Sequence, residues 1–125
     1  MSAQHFPVGW FEIYVQDMAR AKTFYEKTFQ TSLTRLDSPA VELWTFPLPK
    51  EAPGCPGALV KMQGKDSGPG GTIIYFSCVD CAVEAERATN HGGSIQRPKS
   101  SIGEHGFICF IQDTEGNLIG LHSMK

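Results

Sequence analysis

Glu12 is the residue whose surroundings most plainly call for chemistry. It stands in Trp10-Phe11-Glu12-Ile13-Tyr14-Val15, where apolar and functional side chains alternate. Successive side chains of a β-strand point to opposite faces. Phe11, Ile13 and Val15 therefore form an apolar face, and Trp10, Glu12 and Tyr14 share the other. That second face carries an indole donor, a carboxylate acceptor and a phenol. A carboxylate among apolar neighbours is costly to bury alone. Two roles stand open for Glu12: a structural ion pair, with Lys61 as partner, or contact with a ligand. In the second role a desolvated carboxyl can serve as a general base.

Cysteine offers the next chemistry. Cys55, Cys78, Cys81 and Cys109 are present, and Cys78-Val79-Asp80-Cys81 has C-x-x-C spacing at a strand-to-helix junction. A helix N-terminus favours a thiolate, so a thiol-redox protein working through Cys78 and Cys81 is one reading. The weightier one makes Cys78, on the apolar face of its strand, a small buried hydrophobe. Zinc would want a second closely spaced pair, which Cys55 and Cys109 do not form. Residues 1–7 have no apolar leader core, so reduced thiols and a cytoplasmic location are expected. Net charge is −2, from 11 basic and 13 acidic residues without a basic block, which argues against nucleic acid and anionic membrane as partners. No apolar run reaches membrane-spanning length.

The elements that must position these groups follow from periodicity and capping. Asp17 is placed to cap a helix over residues 18–29, with Ala21, Phe24, Tyr25, Thr28 and Phe29 at helical spacing. Residues 31–37, 41–46 and 57–63 read as strands, with a proline-rich loop over 47–56. Residues 64–71 (GKDSGPGG) form a flexible connector with no apolar residue. The pattern then restarts: a strand over 71–78, and a helix over 82–91 capped by Asp80 and ended by Gly92-Gly93. Strands over 94–98, 106–112 and 118–122 complete it, the last two joined by the turn Asp113-Thr114-Glu115-Gly116-Asn117. The order strand-helix-strand-strand-strand occurs twice, starting about sixty residues apart, which marks an internal duplication by architecture. The fold class is α+β: one domain over 1–125, with modules at about 5–63 and 72–125. Each βαβββ module carries its helix outside, and together they form a curved, barrel-like mixed sheet around a cavity.

Trp10-Phe11-Glu12-Ile13 with Asp17, Ala21 and Phe24-Tyr25 resembles the opening of a glyoxalase-like domain of the vicinal oxygen chelate superfamily. Gly92-Gly93 and residues 113–117 resemble its second helix end and final hairpin. That superfamily includes glyoxalase I, bleomycin-resistance proteins and extradiol dioxygenases. The resemblance implies a metal held by the first and last strands of each module. On this chain those positions are Trp10, a residue at or beside Lys61, Ile73 and Gly120. None is a usual metal ligand, so neither a metal nor another cofactor is expected.

Strand alternation gives a different lining: Trp10, Glu12, Tyr14, Lys61, Gln63, Tyr75, Ser77 and His122. Lys61 and Gln63 join it on the premise that Lys61 faces the cavity. Aromatic walls with a few polar groups suit a small organic molecule. Three functions stand: a binding protein akin to bleomycin-resistance proteins; a lyase-, isomerase- or dioxygenase-type enzyme with a non-standard site using Glu12; and the thiol-redox alternative. A homodimer is expected, partly from the resemblance and partly because the connector lets modules pair within or between chains.

Overall fold

The computed structural model describes residues 8, 10–39, 41–70 and 72–125. Its first module runs β1 (Phe11–Tyr14), α1 (Met18–Phe29), β2 (Thr34–Leu36), β3 (Glu42–Thr45) and β4 (Gly57–Lys61). The second runs β5 (Ile74–Ser77), α2 (Cys81–Asn90), β6 (Ser94–Ser101), β7 (Phe107–Gln112) and β8 (Leu118–Ser123). A short 3₁₀ turn, Gly103–His105, precedes β7. The strand orders are β1-β4-β3-β2 and β5-β8-β7-β6. In each sheet the first strand lies parallel to the last, and the other pairings are antiparallel. The duplicated βαβββ architecture is thus as the sequence indicates. Among the described residues it forms two four-stranded mixed sheets and not a closed barrel.

The caps act as their chemistry requires. Asp17 accepts from Arg20 N at 3.0 Å, and Asp80 from Ala82 N at 3.1 Å. Gly92, at φ 95°, takes the left-handed conformation just beyond α2, and Gly93 N bonds Ala88 O at 2.8 Å. Several boundaries move. Trp10 precedes β1, α2 begins one residue earlier than expected, and β2 is short. β6 runs past Pro98 to Ser101, because it is an edge strand whose register shifts between Ile95 and Arg97 and again between Arg97 and Ser100. Such irregularities tolerate a proline that cannot donate. The expected start of the fifth strand at Gly71 lies outside the described residues.

One apolar core serves both modules. It joins Ile13, Val15, Phe24, Tyr25 and Leu59 to Cys81, Cys109, Ile111 and Leu121. Phe76 of β5 links them directly: its ring centroid lies 4.4 Å from that of Phe29, 5.5 Å from Phe46 and 6.1 Å from Phe11. The two helices pack against each other and against the sheets. No described helix is long and apolar enough to cross a membrane.

Candidate functional site

With Phe11, Ile13 and Val15 committed to the core, Trp10, Glu12 and Tyr14 turn together to the opposite face. Trp10 Nε1 donates to Glu12 Oε2 at 3.2 Å, and the Tyr14 hydroxyl donates to Oε1 at 2.7 Å. Each carboxylate oxygen is thereby held by a neighbour two residues away. The phenol of Tyr14 is held above its ordinary pKa, chiefly by this bond to Glu12, and so remains a donor at neutral pH. Trp10 is 39% exposed, Glu12 is exposed and Tyr14 is half-buried. The carboxylate is oriented yet open to an approaching molecule.

Glu12 and Tyr14 line a cleft of about 260 Å³ with Ile74, Asn117, Leu118 and part of the connector. Asn117 shapes this cleft. Its Nδ2 donates to Tyr14 O at 2.9 Å, and its Oδ1 accepts from Gly68 N at 2.7 Å. It therefore ties β1 and the connector to the turn between β7 and β8. Asp113, in the same turn, accepts from Asn117 N and Glu115 N at 2.8 Å, from Asn117 Nδ2 at 2.9 Å, and from the Tyr25 hydroxyl at 2.7 Å. Glu115 accepts from Gln16 N and Asp17 N at 3.0 Å, and from Arg20 Nε at 2.7 Å. Burial alone would push the Glu115 carboxyl up. The Arg20 guanidinium, the two backbone N–H groups and the Thr114 hydroxyl outweigh it and hold that carboxyl at about 2. The second module thus fixes the corner from which Glu12 and Tyr14 project.

The remaining candidates fall into two groups. Tyr75, Ser77 and His122 share the open face of the second sheet, where Ser77 lies opposite His122. Tyr75 is 47% exposed, and its ring covers Gly120 on the neighbouring strand. His122 is half-buried, with Nε2 2.7 Å from His105 O.

Lys61 and Gln63 do not join the lining. β1 pairs with β4 so that Ile13 faces Leu59 and Tyr14 faces Val60. Leu59 is fully buried in the core, and alternation gives Lys61 the parity of Leu59. The residues that accompany Glu12 and Tyr14 are Ala58 and Val60. The uncertainty of one residue at the end of β4 was enough to exchange the two faces. Lys61 instead stands across from Glu42, beside a separate polar depression of about 590 Å³ that also includes Arg35 and Gln63. No salt bridge joins Glu12 to Lys61 among the described residues. Asn117 and the connector escaped the sequence reading. The turn composition was visible, but its contact with β1 spans about a hundred residues, and local periodicity carries no such information.

The donor set implied by the resemblance does not fit a metal. Trp10 spends its N–H on Glu12, Lys61 is cationic and on the wrong parity, and the ring of Tyr75 occupies the space a side chain at Gly120 would need. Among the described residues no three His, Cys, Asp or Glu side chains gather to hold a cation.

The family model described as Glyoxalase/Bleomycin resistance protein/Dioxygenase superfamily matches residues 8–121. No curated protein sequence matches the chain. Among solved structures, the chain is similar to TnmS3, an antibiotic binding protein from Streptomyces sp. CB03234. The TM-score is 0.71 at 24% identity, over 98% of each chain. A glyoxalase-related enzyme from Fulvimarina pelagi superposes with TM-score 0.68 at 16% identity, over 93% of this chain and 86% of that one. Glyoxalase I from Zea mays gives 0.69 at 20% identity over 94% of this chain. The chain spans about half of the maize protein, 46% of its length. At these identities the likeness is one of fold.

Proposed function

The chain belongs to the glyoxalase/bleomycin resistance protein/dioxygenase superfamily, and from that premise we propose that it binds a small organic molecule in the cleft beside Glu12, without the metal-ligand set that the resemblance implies. The observation that carries this reading is the carboxylate of Glu12, which lines the cleft with Tyr14 and is held by the Tyr14 hydroxyl and by Trp10. The lining divides the work: the carboxylate accepts a hydrogen bond from the ligand, the ring of Tyr14 offers flat apolar surface, and Leu118 and Ile74 form an apolar wall. A cleft of about 260 Å³ suits a compact ligand. The antibiotic-binding relative supports binding as an end in itself, since it shares the fold over its full length. Glu12 is then an anchor. The two donors that fix it serve recognition, because an acceptor already in place loses little freedom on binding.

Tryptophan emission tests this directly. Trp44→Phe leaves Trp10 as the reporter. The variant is titrated with small aromatic and heteroaromatic compounds, with thermal shift as a second readout. A ligand of the cleft should change Trp10 emission. Glu12→Gln should weaken its binding roughly tenfold or more, the worth of a hydrogen bond to a charged group. Binding that leaves Trp10 emission untouched and is indifferent to Glu12→Gln would place the site elsewhere.

A further inference from the structure

The deepest thiols of the chain face each other. Cys81 opens α2 and Cys109 lies within β7, and both are fully buried. Cys109 Sγ donates to Cys81 Sγ at 3.2 Å. Disulfide sulfurs are about 2.0 Å apart, so little more than an ångström separates this pair from a bond. The arrangement is anchored, since Cys81 N donates to Ser123 Oγ at 3.0 Å. Cys78, the C-x-x-C partner of Cys81, turns its thiol to Phe76 O at 3.6 Å. The motif visible in the sequence is therefore not the pair in contact.

We propose that Cys81 and Cys109 form an intrachain disulfide on exposure to hydrogen peroxide, stapling the first turn of α2 to β7. Cys81, the acceptor of the bond from Cys109, is the sulfur that peroxide oxidises first. Burial and the facing Cys81 sulfur push the Cys109 thiol up. The Cys81 thiol takes one oxygen from peroxide, giving a sulfenic acid and one water. Cys109 sulfur then displaces the sulfenic hydroxyl, which leaves as a second water with the Cys109 proton. Two thiols and one peroxide thus give one disulfide and two waters. Full burial also selects the oxidant: peroxide is near the size of water, whereas a bulky disulfide such as oxidised glutathione cannot reach either sulfur.

The test oxidises the folded chain with hydrogen peroxide, alkylates the remaining thiols and maps the peptides. The expected product is a Cys81–Cys109 cross-link lighter by two hydrogens, with Cys55 and Cys78 recovered alkylated. The melting temperature should rise by roughly 5–10 °C, because the bridge closes a loop across 28 residues. Cys109→Ser should abolish the cross-link and Cys78→Ser should leave it. In denaturant the product should change to Cys78–Cys81, the pair nearest in sequence. Should Cys109→Ser fail to fold, Cys55→Ser/Cys78→Ser, whose two thiols should fall to none, decides the matter. A Cys78–Cys81 bridge in the native protein, or Cys81 oxidised to sulfinic acid with Cys109 still a free thiol, overturns the proposal. Equal cross-linking by oxidised glutathione overturns the size argument and with it the buried route.

Discussion

The two modules solve the same problem, fixing a strand-to-helix corner, by different means. The corner between β1 and α1 is held from across the molecule. Glu115 bonds Gln16 N, Asp17 N and Arg20, while Asp113 holds Tyr25 and shapes the turn. The corner between β5 and α2 is held by its own module, through Ser123 Oγ on Cys81 N and Lys99 on Asp80 at 2.9 Å. The clamp is not returned. The turn facing it by duplication is the proline-rich loop over 47–56, which makes no side-chain hydrogen bond to the second module among the described residues. Duplication thus supplied two equal frames, and one asymmetric turn made one of them dependent on the other. The dependent corner is the one that carries Glu12 and Tyr14.

Removing the clamp should produce the largest effect. Asp113 is buried and accepts four hydrogen bonds. Asp113→Ala should cost about 3–5 kcal/mol in urea unfolding, since it orphans several buried donors. Ser123→Ala, the counterpart in the other corner, should cost about 1 kcal/mol. The opposite order would break the comparison.

Acid should expose the same asymmetry. The folded Glu115 carboxyl lies at about 2, below its ordinary value of 4.5. A depressed pKa contributes stability that is present above about pH 4.5 and is lost as pH falls toward 2, on the order of 2–3 kcal/mol. Thermal melts across pH 2–6 should show that slope, and Glu115→Gln should flatten it. Asp80 is also lowered, chiefly by Lys99, but that pair is solvent-screened. Asp80→Asn should leave the acid slope nearly intact.

A third contrast concerns glycine. In each module an aromatic side chain lies over a glycine on the parallel neighbour, Phe11 on Gly57 and Tyr75 on Gly120. An added Cβ would collide with either ring. Phe11 is wedged between Phe46 and Phe76, whereas Tyr75 is 47% exposed and can swing away. Gly57→Ala should therefore cost about 2–3 kcal/mol and Gly120→Ala about 1 kcal/mol, by denaturant midpoint.

The smallest effect belongs to Glu12. Its side chain is exposed and bonded only to Trp10 and Tyr14. Glu12→Gln should move stability by less than about 0.5 kcal/mol. Lys61→Met in that background should recover nothing, because the two residues are not paired. A marked shift on either change would restore the structural reading of Glu12.

Local chemistry was enough for much of this protein. Alternation placed Ile13 and Val15 inward and Trp10, Glu12 and Tyr14 together, because a strand has a period of two that no distant contact can change. Asp17, Asp80 and Gly92 marked helix ends through groups that act within a few residues. The duplicated element order followed from the same signals. Three things needed the tertiary structure. The face of Lys61 turned on register at a strand end, where one residue exchanges inside for outside. The thiol pairing turned on α2 packing against β7, which set Cys81 against Cys109 and not Cys78. The clamp of residues 113–117 on Gln16, Asp17 and Arg20 turned on how the modules dock. These are long-range contacts, decided by shape and burial across the whole core, and a one-dimensional pattern of residue types does not encode which distant surfaces meet.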